Sequence, residues 1–219
     1  MLKIYGVYKS RATRTFWLAG ELGLAFEHVP VIQAYKLDDP YAPGVRLNTR
    51  SPEYLAVNPM GAIPAIDDDG LKLHESMAIN LYLAKKAGGP LAPKDLAEDA
   101  LMTQISFFAA TEMEANALKI SQSNAQGRLS SEAGQAEAEA IARLLKRPFG
   151  VLEQHFAGAD YAVGGRFTVA DINLAEVVRY AQPYQPALAP FPHLSAWLDR
   201  CQARPAFKAM WETRLAEQE

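Results

Sequence analysis

One cysteine, Cys201, is all the thiol this 219-residue chain carries. A lone cysteine excludes an intrachain disulfide, a Cys-x-x-Cys redox pair and a cysteine-rich metal site. Histidine is nearly as scarce. His28, His74, His155 and His193 stand without ligand-like spacing, so no metal is expected. No apolar run approaches the ~20 residues that a membrane span requires. The segment Met1-Leu2-Lys3-Ile4-Tyr5 turns polar by Tyr8-Lys9-Ser10-Arg11, too early for a secretory leader, and a cytoplasmic location is the expectation. An excess of one charge is lacking as well. Lys and Arg number 22 against 25 Asp and Glu, which leaves no electrostatic footprint for nucleic acid or an anionic membrane.

What is present is ordinary globular material, 49% hydrophobic and 21% charged, enough for one large or two modest domains. Leu2 to Val7 reads as a buried strand. Ser10 can cap a helix in which Thr15, Leu18, Ala19 and Leu22 follow the helical spacing and Gly23 ends the run. Phe26 to Val31 reads as a second strand, and strand, helix, strand with short joints implies a parallel unit. The stretch around 34–48 contains Pro40 and Pro43, shows no period and reads as a loop. Ile63 to Asp67 and Leu71 to Leu73 flank Asp67-Asp68-Asp69-Gly70, an acidic turn that signals a hairpin. Ser76 to Lys86 reads as a helix.

Composition shifts at Gly88-Gly89-Pro90, and beyond it only helical patterns appear. Glu98 to Ser123 and Glu132 to Phe156 are long and alanine-rich, with a kink or break expected at Pro148. Thr168-Val169-Ala170-Asp171 has the form of a capping box, with Phe167 and Ile172 placed as a hydrophobic staple. Two more helices are expected over 191–203 and 205–215. The expected division is a mixed domain over 1–86, a linker over 87–94 and a helical domain over 95–219.

Three segments, in order, resemble the glutathione transferase family. The first is Leu2-Lys3-Ile4-Tyr5-Gly6 with Ser10-Arg11-Ala12-Thr13-Arg14 and Glu21-Leu22-Gly23-Leu24, similar to the first strand, active-site turn and first helix of the serine-type, theta-like and bacterial members. The second runs from Pro52-Glu53-Tyr54-Leu55-Ala56-Val57-Asn58-Pro59-Met60-Gly61-Ala62-Ile63-Pro64 to His74-Glu75-Ser76-Met77-Ala78-Ile79 and resembles the family's glutathione-site core. The third, Gly164-Gly165-Arg166-Phe167-Thr168-Val169-Ala170-Asp171-Ile172, is similar to its C-terminal capping motif. The resemblance implies an α/β thioredoxin-like N-terminal domain plus an all-α C-terminal helical domain. It implies glutathione as co-substrate, a small, mostly apolar electrophile as the other substrate, and a homodimer.

The chemistry of such a site can be reasoned from its residues. Only the thiolate of glutathione is a competent nucleophile, and a free thiol of pKa ~8.5 is only slightly ionised at neutral pH. Ser10, at a helix N-terminus, offers a hydroxyl donor, backbone N–H groups and the positive end of a helix dipole to stabilise it. Tyr5 is the rival donor, Thr13 a weaker one. Arg11 can approach glutathione or not, while Arg14 reads as structural, paired with an acid. By resemblance, Ile63-Pro64 is a cis-proline turn whose Ile63 backbone pairs with the cysteinyl backbone of glutathione as an added strand would. Glu75 and Ser76 grip the γ-glutamyl end, and Arg50 faces the glycyl carboxylate. Ala62 departs from the family pattern, in which a longer polar residue often stands. The 34–48 stretch is longer than usual, a lid or an inert excursion, with the inert reading preferred. Phe107, Phe108, Glu112 and Asn116 lie where the family's second-substrate pocket forms, although phenylalanine at helical spacing equally describes core. A glutathione-dependent peroxidase or disulfide reductase is the enzymatic alternative, and a non-catalytic glutathione-binding interaction protein the other.

Overall fold

The computed structural model describes residues 1–218. In chain order the first elements are β1 (Leu2–Tyr5), α1 (Thr13–Leu22), β2 (Glu27–Val29), α2 (Pro52–Leu55), β3 (Ala65–Asp68), β4 (Leu71–His74) and α3 (Ser76–Ala87). Then follow α4 (Leu96–Phe108), a π-helical stretch (Ala109–Glu114), α5 (Ala115–Ala125), α6 (Glu132–Phe156), α7 (Val169–Val178), α8 (Pro192–Gln202) and α9 (Pro205–Ala216). The chain forms two compact units: residues 1–87 together with 205–219, and residues 88–204. This differs from the expected division, because the last helix belongs to the first unit.

In the first unit the sheet order is β2-β1-β3-β4, with β1 and β2 parallel and the other pairs antiparallel. The parallel pair sets Ile4 beside His28, and the antiparallel pair sets Ile4 beside Ile66. Ile4 and Ile66 are fully buried, which fixes the register because a one-residue slip would turn both outward. Asp69 (φ 52) and Gly70 (φ 95) make the turn between β3 and β4, both in the left-handed region that a tight hairpin demands. Helix α1 packs on α3 and α9. Trp17 of α1 is buried edge-to-face on Phe207 of α9, ring centres 4.9 Å apart. Gly20 faces Ala206 of α9, where a Cβ would make an ordinary contact at 3.4 Å.

In the second unit α6 presents Ile141, Leu145, Phe149, Leu152 and Phe156 as one buried stripe. The helix runs without interruption through Pro148, so the break considered from sequence does not occur. The physical reason is position. The carbonyl that loses its partner belongs to Leu144, a residue 60% exposed, where water can serve it. The capping box forms as expected, Thr168 and Asp171 exchanging bonds. Asp171 also accepts from the Ala162 N–H and from Trp197 Nε1, so burial drives its carboxyl upward while four donors oppose that drift. Within the expected linker, 87–94, Pro90 and Ala92 are held in place: Arg166 donates to both carbonyls and forms a two-pronged ion pair with Glu98, at 2.9 and 2.8 Å.

Candidate active site

The site begins with Gly6. Its φ of +146 is a value side-chain-bearing residues rarely adopt, and a Cβ there would lie 2.8 Å from the Ala12 Cβ. The same virtual atom is 3.6 Å from the Ile63 Cβ and 3.9 Å from the Pro64 Cα. Glycine thus lets the turn after β1 fold down against the Ile63-Pro64 turn, and Ser10 follows it.

Ser10 is not the helix cap expected from sequence. Helix α1 starts at Thr13, Ala12 is its N-cap, and no side chain caps it. Ser10 Oγ instead accepts the Ala12 N–H at 3.0 Å and donates to the Val7 carbonyl at 2.6 Å. The accepted bond polarises the hydroxyl, and its proton rests on a neutral carbonyl, from which an anion can draw it: charge-assisted bonds are roughly twice as strong. The rivals fare differently. Thr13 is fully buried with its hydroxyl donated to the Ser10 carbonyl at 3.1 Å. Tyr5 packs on Tyr54, ring centres 6.0 Å apart, and burial raises its phenol pKa. Arg11 lies exposed beside Ser10.

Ile63-Pro64 is a cis peptide bond. The N–H and C=O of Ile63 have no hydrogen-bond partner among the described residues, an edge of backbone left to pair. The edge is held from behind. The Ala62 carbonyl accepts both Asn58 Nδ2, at 2.7 Å, and the Tyr54 hydroxyl. Asn58 Oδ1 takes the Met60 N–H at 3.1 Å, and Gly61 (φ +59) passes so close to the Thr49 carbonyl that a Cβ would meet it at 2.5 Å. Burial pushes the Tyr54 phenol upward, keeping it a neutral donor. Tyr54 and Asn58 were not singled out in the sequence, although both stand in the segment carrying the resemblance.

Glu75 sits at the N-cap of α3, its carbonyl accepting the Ile79 N–H at 2.9 Å. Its φ of +72 is costly for a residue with a side chain, by ~1–3 kcal/mol, and such outliers cluster at functional sites. The strain aims an 81% exposed carboxylate outward, its nearest partner being His74 Nδ1 at 3.8 Å. Ser76 is buried and accepts from Arg14 Nη1 at 3.0 Å. A guanidinium only donates, so the Ser76 proton stays available to an anion, and the adjacent cation sharpens it. Arg14 thus binds a site hydroxyl from within the interior. Asn80 Nδ2 donates to the Arg14 carbonyl at 3.1 Å and completes the tie between α1 and α3. Arg50 is exposed, its N–H donating to Asn48 Oδ1 at 2.9 Å.

A cleft of about 730 Å³ opens in the first unit, lined on one side by Val7 and Lys9 of the turn that carries Ser10. Val7 and Lys9 form one wall, His28, Pro30 and Ile32 at the end of β2 another. The loop expected to be inert supplies Lys36, Arg46 and Leu47. The tail after α9 closes the cleft with Glu217 and Gln218. Glu217 accepts the Tyr8 N–H at 2.8 Å on one oxygen and the Lys9 N–H at 2.7 Å on the other, while Arg214 Nη1 donates to the Tyr8 carbonyl. The turn that carries Ser10 is thus held by the C-terminal tail, which no local sequence signal announces. Phe107, Phe108, Glu112 and Asn116 lie in the second unit around the π-helical stretch, outside the residues lining this cleft. Phe107 is 65% exposed and Glu112 is exposed, with Phe108 and Asn116 half-buried. A π-helical turn is itself a frequent mark of functional helices.

A four-stranded mixed sheet with a cis-proline turn packed near the turn that carries Ser10, followed by an all-helical unit, defines a thioredoxin-like fold with a helical second unit. The family models agree. Residues 10–86 match the glutathione S-transferase N-terminal domain and residues 99–205 the C-terminal domain. Glutathione S-transferase 3 of Zea mays is 33% identical over 215 residues, covering 94% of this chain and 91% of that protein. The crystal structure of glutathione transferase F7 from Populus trichocarpa is 26% identical with a TM-score of 0.81, over 98% of this chain and 99% of that one. A structure of glutathione S-transferase-I with bound lactoylglutathione is 28% identical with a TM-score of 0.80, over 97% and 99% of the two chains. The chain belongs to the glutathione S-transferase family and is a glutathione transferase.

Proposed function

We propose that this transferase conjugates the glutathione thiolate to a small electrophile with an apolar body, through Ser10. What supports the reading is one juxtaposition: Gly6 packs the turn that carries Ser10 against the Ile63-Pro64 turn, whose Ile63 backbone is left to pair. Ser10 donates to the sulfur, and Ile63 N–H and C=O pair with the cysteinyl backbone. Glu75 takes the glutathione ammonium and Ser76 its γ-glutamyl carboxylate. The residues fit that ligand chemically: acceptor for ammonium, cation-polarised donor for carboxylate, donor for thiolate. The lactoylglutathione held by a relative of the same fold supports a glutathione-shaped site. Arg50 is the proposed partner for the glycyl end, and Phe107, Phe108, Glu112 and Asn116 remain proposed contacts for the electrophile. We further propose a homodimer with an isologous interface.

The branch of the peroxidase or disulfide-reductase reading that uses a protein thiol is weaker, because the turn carries Ser10 and the chain's one thiol, Cys201, is buried in the second unit. Ultraviolet titration of the thiolate in the glutathione complex tests the proposal, beside a screen of electrophiles, peroxides and mixed disulfides. An ordinary thiol pKa in the complex would refute the role given to Ser10. Tight glutathione binding with no turnover of any compound would refute catalysis in favour of a binding protein.

A further inference from the structure

We infer that the cleft beside the Ser10 turn selects electrophiles carrying a negative charge, an apolar body with a carboxylate or sulfonate, through Lys9 and Arg46. The inference rests on the transferase reading and names the substrate class of that site. The cleft volume of about 730 Å³ falls in the ~300–1,000 Å³ range of small-molecule sites. Val7, Pro30, Ile32 and Leu47 give it apolar wall for a ring or short chain. The charges are one-sided. Among the described residues Lys9, Lys36 and Arg46 line it, against the single carboxylate of Glu217. Both Glu217 oxygens are committed to the Tyr8 and Lys9 N–H groups, which leaves them directed at backbone rather than at the cations. Lys9 adjoins Ser10 in the chain, so the wall it lines is continuous with the turn proposed to hold the sulfur. Arg46 sits on the opposite, loop-built wall.

A neutral apolar molecule entering this cleft strips water from cations and returns nothing. An anion strips the same water and supplies the counter-charge. The penalty on one class and the reward to the other are how a site discriminates between substrates of equal shape. The apolar walls and the cationic wall together require both features in one molecule, which is an amphipathic organic anion.

A matched pair of aryl chlorides reads the preference: a chlorodinitrobenzoate and its methyl ester. In each the thiolate sulfur attacks the chlorine-bearing carbon and the C–S bond forms. Chloride leaves with the C–Cl electron pair, and the thiol proton has gone to solvent. After division by the uncatalysed rates, wild type is expected to favour the benzoate. The kcat/KM ratio should fall about tenfold in Lys9→Gln/Arg46→Gln, and also fall on raising salt. Lys9→Arg/Arg46→Lys should retain it. Fluorescent binding of anilinonaphthalenesulfonate, with phenylnaphthylamine as the uncharged probe, repeats the comparison without chemistry. Loss of the anionic probe alone in the double Gln variant supports the inference. Equal loss of both probes, or of neither, overturns it. A rise in the glutathione Kd with an unchanged benzoate-to-ester ratio would assign these cations to glutathione's own carboxylate and likewise overturn it. If wild type binds the anionic probe selectively yet turns over neither chloride, the transferase reading fails while the anion site stands.

Discussion

Replacing Ser10 with alanine deletes a hydroxyl that the fold uses in two ways. Toward a bound thiolate it is a charge-assisted donor, a bond that contributes ~1.5–3 kcal/mol. At ~1.36 kcal/mol per unit, that corresponds to about one to two pKa units on the glutathione sulfur. Toward its own turn, Ser10 Oγ accepts the Ala12 N–H and donates to the Val7 carbonyl. Losing those two neutral bonds in a half-buried turn costs ~0.5–1.5 kcal/mol each. The two effects separate because they act on different states. The turn bonds lower the melting temperature of the unliganded protein, whereas the donor to sulfur shifts only the complex. Thiolate absorbance, titrated in the complex, should give a pKa about one to two units higher in Ser10→Ala. Turnover near neutral pH should fall about tenfold or more, and glutathione affinity by much less. Ser10→Thr, which keeps a hydroxyl, should recover part of the shift. A folded Ser10→Ala protein with an unchanged thiol pKa would refute the assignment and pass the donor role to Arg11 or to backbone N–H groups. Thr13 and Tyr5 are committed to the interior.

Glu75→Gln removes a charge-assisted contact of ~1.5–3 kcal/mol, so calorimetry should find glutathione bound about ten- to hundredfold more weakly, with turnover at saturation falling far less. The Arg166 guanidinium, helped by the Lys94 N–H, holds the Glu98 carboxyl at about 2 against an ordinary 4.5. Because the folded value is depressed, this stabilisation is complete above pH ~4.5 and is lost as pH falls toward 2; thermal melts of Glu98→Gln should show lower stability at neutral pH and a flatter decline across that window. Gly6→Ala should destabilise the first unit by ~1–3 kcal/mol and depress turnover together, since its Cβ would press on Ala12 from a left-handed backbone; unchanged melting would contradict the packing described. Sedimentation at micromolar concentration should give a dimer, and a stable particle of 24.0 kDa would refute the proposed assembly.

Much of the architecture was legible because its causes are local. The acidic turn before Gly70 marks the hairpin by turn chemistry alone, and the Thr168–Asp171 box marks a helix start by the spacing of two side chains. Gly88 and Gly89 mark the boundary between units, although not that Pro90 and Ala92 would be bonded to Arg166. Pro148 shows where a local rule gives way. A proline disfavours helix by its missing N–H, yet the stripe from Ile141 to Phe156 buries enough apolar surface to keep the helix continuous. Ser10 stood out in the sequence, but as a helix cap, which it is not. Its bond to Ala12 rather than to a helix N–H depends on Gly6 folding the turn, and that is set by contact with Ile63 and Pro64 from another part of the chain.

The cleft escaped the sequence for a related reason. Its walls come from four places, and two of them have no period to read. Lys36 and Arg46 leave an aperiodic loop whose ends are pinned by the Ile32–Asn48 bridge, by the Ala34 N–H on Thr49 Oγ1 at 3.0 Å and by the Asn48 amide on the Pro40 and Arg46 carbonyls. That pinning brings Lys36 and Arg46 to the same cleft as Lys9. The tail reaches it from 209 residues away, where Glu217 meets Tyr8, so neither motif nor spacing could pair them. Chemistry that depends on backbone shape was visible in glycines and prolines. Chemistry that depends on which side chains face a common space became visible only once the chain had folded around it.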